Sequence, residues 1–514
     1  MTRRPRDVGR VDLLQCWVDS KPTSGPPPWQ AVRPMSVLVL DVGSSTLRAA
    51  VVRPDGTLAA EVRRQIPRRT PGPGLVELDA TSLAEGSLAV AGAALERVGR
   101  VEAVAVTTQR ASTMLWERAT GKPVGPVIGW QDLRTVGRCL ALRPSGLRLS
   151  PNQSATKLAH LLEEHRSLDP EGLCFGTIDS WLAWVLTEGG VHVTDATNAG
   201  VTGLVLLDGS AWDQSVLSML SIPPSVLPRI VDSSGVLGPA TALRGAPPLA
   251  ALVGDQQAAL VGQGCIFPGE AKATFGTGAM LDCSTGLERP GFAVRGEAGT
   301  VPVVAWRVGG EVHWGIEAIM LAAGTCVDWL RDGLGLVSSA EETDALASSV
   351  RDSGGVSFVP ALSGLGTPVW DFGARGTILG LSASTTRAEL VRAVLEGIAQ
   401  RGADLVEAAE ADAGRPIERL RVDGGMCANA TFVQLLADAT RRPVELARLP
   451  EMTVLGAAYL AGLAIGTWSS LEEAVSTTRP RAVLEPVRRL DRGRWLEARA
   501  RAEATVPAMT AIRF

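Results

Sequence analysis

The first long apolar run, Val37-Leu38-Val39-Leu40, is unbroken and ends in Asp41, the pattern of a strand buried on both faces. From there to about residue 470, short runs of this kind alternate with longer stretches of helical period, which predicts α/β layering. Two stretches share one design. Residues 37–52 read as strand, turn and strand about Asp41-Val42-Gly43-Ser44-Ser45-Thr46, and residues 271–283 read the same way about Phe275-Gly276-Thr277-Gly278. A hairpin tipped with glycine and hydroxyl residues, recurring halfway along, predicts two related lobes facing a cleft, with a boundary near Gly264-Cys265.

Helix signals are strongest in the second half. Thr386-Arg387-Ala388-Glu389 has the form of a capping box. Leu390, Val391, Val394, Leu395, Ile398, Ala399, Leu405 and Val406 then form one apolar stripe. Leu455-Gly456-Ala457-Ala458-Tyr459-Leu460-Ala461-Gly462 reads as a helix lined with small residues, suited equally to a close crossing between lobes or to core packing. Residues 485–502 are rich in Arg and Glu and read as a solvated terminal helix. Residues 1–34 carry Gly25-Pro26-Pro27-Pro28 and no apolar period, so they read as disordered or extended, with Met35 as the expected natural start.

Composition narrows the class. At ~100–200 residues per domain, 514 residues make two to four domains, and 46% hydrophobic residues supply large cores. A net charge of −4 argues against a nucleic-acid partner. Arginine supplies all but four of the 50 basic residues, the lysines being Lys21, Lys122, Lys157 and Lys272. The seven cysteines are scattered without CxxC and the four histidines without HxxxH, so neither a disulfide framework nor a zinc site is expected. No apolar run reaches a membrane span, and the basic N-terminus lacks a signal-peptide core, so a soluble cytoplasmic protein is expected.

The chemistry sits where strands end. After Asp41, Gly43 permits a tight turn whose N–H groups and hydroxyls suit phosphate oxygens, while the carboxylate suits a hydrated Mg²⁺. Phe275-Gly276-Thr277-Gly278 offers a second set of donors. In Leu252-Val253-Gly254-Asp255-Gln256-Gln257 an aspartate stands between strand and helix, either as a plain N-cap or as a general base for a substrate hydroxyl. Val422-Asp423-Gly424-Gly425 ends another strand in bare backbone against which a ring or ribose could lie. GxGxxG, GxxxxGK[ST] and GxSxG are absent, which disfavours a dinucleotide fold, a P-loop NTPase and a serine hydrolase.

In order along the chain, these pieces resemble the FGGY family of carbohydrate kinases, and its glycerol kinase branch most. The resemblance runs from about 35 to 480. It also rests on Thr108-Gln109-Arg110, Trp130-Gln131-Asp132-Leu133-Arg134, Phe175-Gly176-Thr177-Ile178-Asp179-Ser180-Trp181 and Thr194-Asp195-Ala196-Thr197-Asn198. Gly364-Leu365-Gly366-Thr367-Pro368, Ala374-Arg375-Gly376 and Leu455-Gly456-Ala457-Ala458 complete the set. It implies an α/β fold of two actin-like, ribonuclease H-like ATPase lobes around a cleft. The lobes would span 35–264 (substrate and phosphate side) and 265–480 (nucleotide side), with a C-terminal helix and tail at 481–514.

The implied activity is transfer of the ATP γ-phosphate, with Mg²⁺, to an alcohol of a small polyol or sugar. No nucleic-acid or membrane partner is implied, and a homodimer or homotetramer is compatible. Asp255 would be the base. Asp41 would hold Mg²⁺ through water. Ser44, Ser45, Thr46, Arg48, Gly276 and Thr277 would face the phosphates, and Gly324, Asp328, Gly425 and Asn429 the nucleotide, with Asp328 standing where the branch has a glutamine. Arg110, Trp130, Asp255 and Gln256 would contact the substrate.

Three substrate positions depart from the branch. Ala111 replaces an acidic residue, Asn152 a tyrosine and Met280 an aromatic. A lost carboxylate removes a charge-assisted hydrogen bond of ~1.5–3 kcal/mol. The pocket is therefore expected to be wider, with glycerol a poor substrate and a longer polyol or ketose a better one. A true glycerol kinase and a nucleotide-binding regulator without catalysis are the alternatives.

Overall fold

A computed structural model describes residues 36–449 and 452–512. The readings of residues 1–34, of Met35 and of Cys16 lie outside these. Two large sheets dominate, and both begin with the hairpins the sequence marked. The first sheet contains β1 (Val37–Val42), β2 (Thr46–Val52), β3 (Leu58–Gln65), β4 (Ala103–Thr108), β5 (Ser234–Pro239) and β6 (Pro248–Gly254). Its order is β3-β2-β1-β4-β6-β5. The second contains β7 (Ala271–Phe275), β8 (Ala279–Gly286), β9 (Val301–Val308), β10 (Glu311–Met320), β11 (Leu420–Asp423), β12 (Val444–Leu446) and β13 (Ala482–Leu484). Its order is β9-β10-β8-β7-β11-β12-β13.

Apart from β9, the two orders correspond strand for strand, and so do the senses. β1 pairs antiparallel with β2 and parallel with β4, as β7 pairs antiparallel with β8 and parallel with β11. The far edge of each sheet is an antiparallel strand, β5 on β6 and β13 on β12.

The first sheet is apolar on both faces, as the unbroken run in β1 requires. Leu38 and Leu40 face α1 (Ala80–Val98), while Val37 and Val39 share a core with α3 (Asp255–Gly262) and α6 (Thr453–Ala464). Thus α6, which follows a strand of the second sheet, packs on the first. It crosses α3 so closely that a side chain at Gly456 would collide with the carbonyl of Ala258, which explains its small residues. The second sheet is apolar on one face only. Ala271, Ala273, Phe275, Leu281, Ile316 and Ala318 meet α4 (Arg387–Ala413) and α5 (Ala430–Thr440). The capping box opens α4: Thr386 N donates to Glu389 at 2.7 Å, and Glu389 N to Thr386 Oγ1 at 3.3 Å.

The terminal helix α7 (Arg492–Ala502) corrects one expectation. It is solvated on one face only: Trp495, Ala498 and Ala502 are buried, and Arg492 and Arg499 reach the buried carboxylate of Asp404 on α4. The charge pattern that reads as wet is partly consumed by one buried acceptor.

Candidate functional site

The base candidate is set at the end of β6. Gly254 occupies the N-cap position of α3, and Asp255 makes no side-chain cap, so the plain capping reading of Asp255 does not hold. Its Oδ1 accepts from Gln256 N at 2.8 Å and lies 3.6 Å from Arg110 Nε. The side chain remains 27% exposed. Burial raises its pKa, opposed chiefly by the Arg110 charge. Upstream, Gly254 N donates to Thr197 Oγ1 at 2.8 Å, and Thr197 Oγ1 donates to the buried Asp195 carboxylate at 2.9 Å. This network pins the backbone immediately before the base.

Arg110, in the loop after β4, joins the two sheets. Its Nη2 donates to Glu317 on β10 at 2.6 Å while Nε faces Asp255. Arg110 is 12% and Glu317 7% exposed. Burial acts to lower the arginine's pKa, but the charges of Glu317, Asp255 and Asp282 outweigh it and raise the value. Next to Arg110, Ala111 adopts a left-handed φ of 60° and is buried. Its carbonyl accepts from Thr113 Oγ1 and Ser154 Oγ at 3.0 and 3.2 Å, which fix this uncommon conformation.

Trp130 follows a strand of the smaller five-stranded sheet. Its indole N–H donates to Ser44 Oγ at 3.0 Å, and its carbonyl accepts from Asn152 Nδ2 at 3.0 Å and, on α2 (Ala155–Glu164), from Lys157 Nζ at 3.1 Å. Ser44 also donates to Gln109 Oε1 at 3.3 Å. Ser44, expected on phosphate, thus also ties the first hairpin to Trp130, and Asn152, expected on substrate, is exposed with its amide on the backbone. Burial brings the Lys157 amine down to about 7.

The hairpin loops carry the other expected groups. In the first, Gly43 N donates to Thr46 O at 3.0 Å, Ser45 is exposed and Thr46 half-buried. Asp41 and Arg48 are cross-strand partners 4.0 Å apart, and Arg48 is buried with its Nε 2.7 Å from Glu61. Arg48 thus lies under the hairpin between two carboxylates. In the second, Gly276 N donates to Gly278 O, and the loop carbonyls accept from Ala323, Gly324 and Thr325, leaving Thr277 exposed. Met280 is half-buried on β8, opposite Ile319.

On the nucleotide side, Gly324 N donates to Gly276 O at 2.9 Å, which seats the 324–328 helix directly on the second hairpin. Nothing lies within 4 Å of where a Gly425 side chain would stand, so bare backbone is open there. Gly424 has φ 95° and abuts the Phe275 carbonyl, joining this loop to the same hairpin. Asn429 caps α5 by accepting from Phe432 N and donates to Thr343 Oγ1 at 3.0 Å. Asp328 is exposed and accepts from Arg331 at 3.0 Å.

Four polar residues of the second sheet's other face escaped the sequence reading: Lys272, Thr274, Asp282 and Glu317. Lys272 and Asp282 are cross-strand neighbours with Nζ 2.7 Å from Oδ2. Asp282 in turn is opposite Glu317. Their signal was the alternation Ala271-Lys272-Ala273-Thr274-Phe275, in which every second residue is polar.

Comparison with known proteins agrees with this geometry. Residues 36–262 match the N-terminal domain, and residues 271–465 the C-terminal domain, of the FGGY family of carbohydrate kinases. A glycerol kinase of Aromatoleum aromaticum is 44% identical over 497 residues, covering 92% of this chain and 99% of that protein. One of Trichlorobacter lovleyi is 44% identical, covering 90% and 96%. Among solved structures, Plasmodium falciparum glycerol kinase with ADP superposes with a TM-score of 0.83 at 26% identity, covering 94% of this chain and 99% of that one. Xylulose kinase of Lactobacillus acidophilus, at 19% identity and a TM-score of 0.80, shares the fold, with 93% and 99% covered. With both family domains matched and relatives alike over nine-tenths of its length, the chain belongs to the FGGY family of carbohydrate kinases and is a phosphotransferase with an alcohol group as acceptor.

Proposed function

We propose that the protein is a glycerol kinase: it transfers the γ-phosphoryl group of ATP to a terminal hydroxyl of glycerol, giving glycerol 3-phosphate and ADP. The observation that carries this reading is the partly exposed Asp255 carboxylate, free of any capping duty and flanked by an arginine clamped to the opposite sheet. Asp255 accepts the hydroxyl proton as that oxygen attacks the γ-phosphorus, and its raised pKa brings it nearer the range useful to a base. The triphosphate lies against the loops at 43–46 and 276–278, with Gly324 and Gly425 on the nucleotide side. Among the described residues no group of three or more His, Cys, Asp or Glu could hold a metal unaided. Asp41 would hold Mg²⁺ through water, and the ion would neutralise charge on the triphosphate.

The names borne by the relatives support glycerol over the longer polyol that the pocket departures suggest. Ala111 and Met280 favour a second reading, a widened pocket for a ketose. Coupled measurement of ADP release with glycerol, erythritol, xylulose and ribulose decides between them. The proposal predicts the highest kcat/KM for glycerol, and a clear ketose preference overturns it.

A further inference from the structure

We infer that Lys272 is a positioning residue that fixes the sense of the Gln256 amide, so that Gln256 meets the acceptor substrate as a hydrogen-bond donor. This deepens the proposed function and rests on it. Lys272 is fully buried, and its ammonium has three donors and no acceptor. It hydrogen-bonds Gln256 Oε1 at 2.5 Å and Thr274 Oγ1 at 3.1 Å, and it is ion-paired with Asp282 Oδ2 at 2.7 Å. Because an ammonium only donates, the Gln256 oxygen must face it, and the NH₂ end is turned the other way. That end belongs to a half-buried side chain beside Asp255.

The two neighbours then divide the work. Asp255 accepts a hydroxyl proton, and Gln256 donates to a hydroxyl oxygen, so an acceptor hydroxyl is recognised through both its polarities. Asp282, 2% exposed, supplies the countercharge without which a buried ammonium would be displaced or neutralised. Thr274 passes its bond onward, donating to Asp423 Oδ1 at 2.6 Å beside the glycine loop on the nucleotide side. One lysine thus anchors the Gln256 amide to the sheet that carries the nucleotide loop.

Steady-state kinetics of the full chain test this with Lys272→Met, the paired variant Lys272→Met/Asp282→Leu, Gln256→Ala and Gln256→Glu. The paired variant removes both charges together, so it folds even if the single lysine change does not. Expected is a glycerol KM raised ~10-fold or more in the lysine variants, with the ATP KM within about twofold and kcat less affected than the glycerol KM. Gln256→Glu keeps an oxygen for Lys272 but loses the NH₂, so its glycerol KM rises at least as far as that of Gln256→Ala. A folded paired variant with a wild-type glycerol KM overturns the inference, as does Gln256→Glu with a wild-type KM. A wild-type protein that turns over no glycerol removes the functional reading and this inference with it; an active wild type with unresponsive variants removes the inference alone.

Discussion

The two sheets share six strands in one order and one set of directions, yet they are used differently. The first is packed with apolar side chains on both faces, so it offers the site only its loops and strand ends: residues 41–46, Arg110 and Asp255. The second keeps one face apolar and lines the other with Lys272, Thr274, Asp282 and Glu317. A fully apolar sheet holds a base in place; a half-polar one holds the charges that orient the base and its neighbour. The second arrangement is tolerated because Lys272 pairs with Asp282 across strands and Glu317 with Arg110 from the other sheet.

The contrast can be broken in several ways. Asp255→Asn removes the group that the first sheet contributes to the chemistry, and kcat should fall ~10²-fold or more with the ATP KM within about twofold. Near-normal turnover would exclude the base role. Glu317→Gln should leave Arg110 without its nearest carboxylate, lowering stability by ~3 kcal/mol or more in denaturant unfolding. Glu61→Gln, which removes one of two carboxylates beside Arg48 at the edge of the first sheet and leaves Asp41, should lower it by only ~1 kcal/mol. Equal losses would mean that the two faces are not distinct in kind.

Acid stability separates a further pair of buried groups, both on the first-sheet side. Burial lifts Asp179 from 3.8 to about 6, so its contribution is present at low pH and is lost as pH rises through 6. Burial depresses His192 from 6.5 to about 4, so its contribution is present above 6.5 and is lost as pH falls toward 4. The two oppose each other. Asp179→Asn leaves the histidine uncompensated, and stability should fall more steeply between pH 6 and 4, by up to ~1.4 kcal/mol per pH unit. An unchanged slope in thermal melts across that range would contradict these assignments. The smallest effect belongs to the paired Lys272→Met/Asp282→Leu change, whose stability should stay within about 1 kcal/mol of the parent because no charge is left alone.

Much of this was legible in the chain. The run Val37-Leu38-Val39-Leu40, the recurring glycine hairpin and the Thr386–Glu389 box are local signals, and they folded as read because nothing tertiary opposes them. Asp255 was legible for the same reason, standing where a strand turns into a helix. What failed were inferences about what lies opposite. A polar residue at alternate strand positions reads as a solvent face, and only the tertiary packing shows that Lys272 and Glu317 point into the site. Nor do the residue types at Ser44 and Asn429 announce that one is hydrogen-bonded to Trp130 and the other caps a helix. The wetness of α7 was misread because Asp404 lies some 90 residues earlier in the sequence.

The most direct test is a crystal structure of the protein with glycerol and a non-hydrolysable ATP analogue. Expected are a glycerol hydroxyl oxygen within ~3 Å of an Asp255 carboxylate oxygen, aligned with the γ-phosphorus, and the triphosphate between the loops at 43–46 and 276–278. Glycerol bound away from Asp255, or phosphates away from both loops, would contradict it.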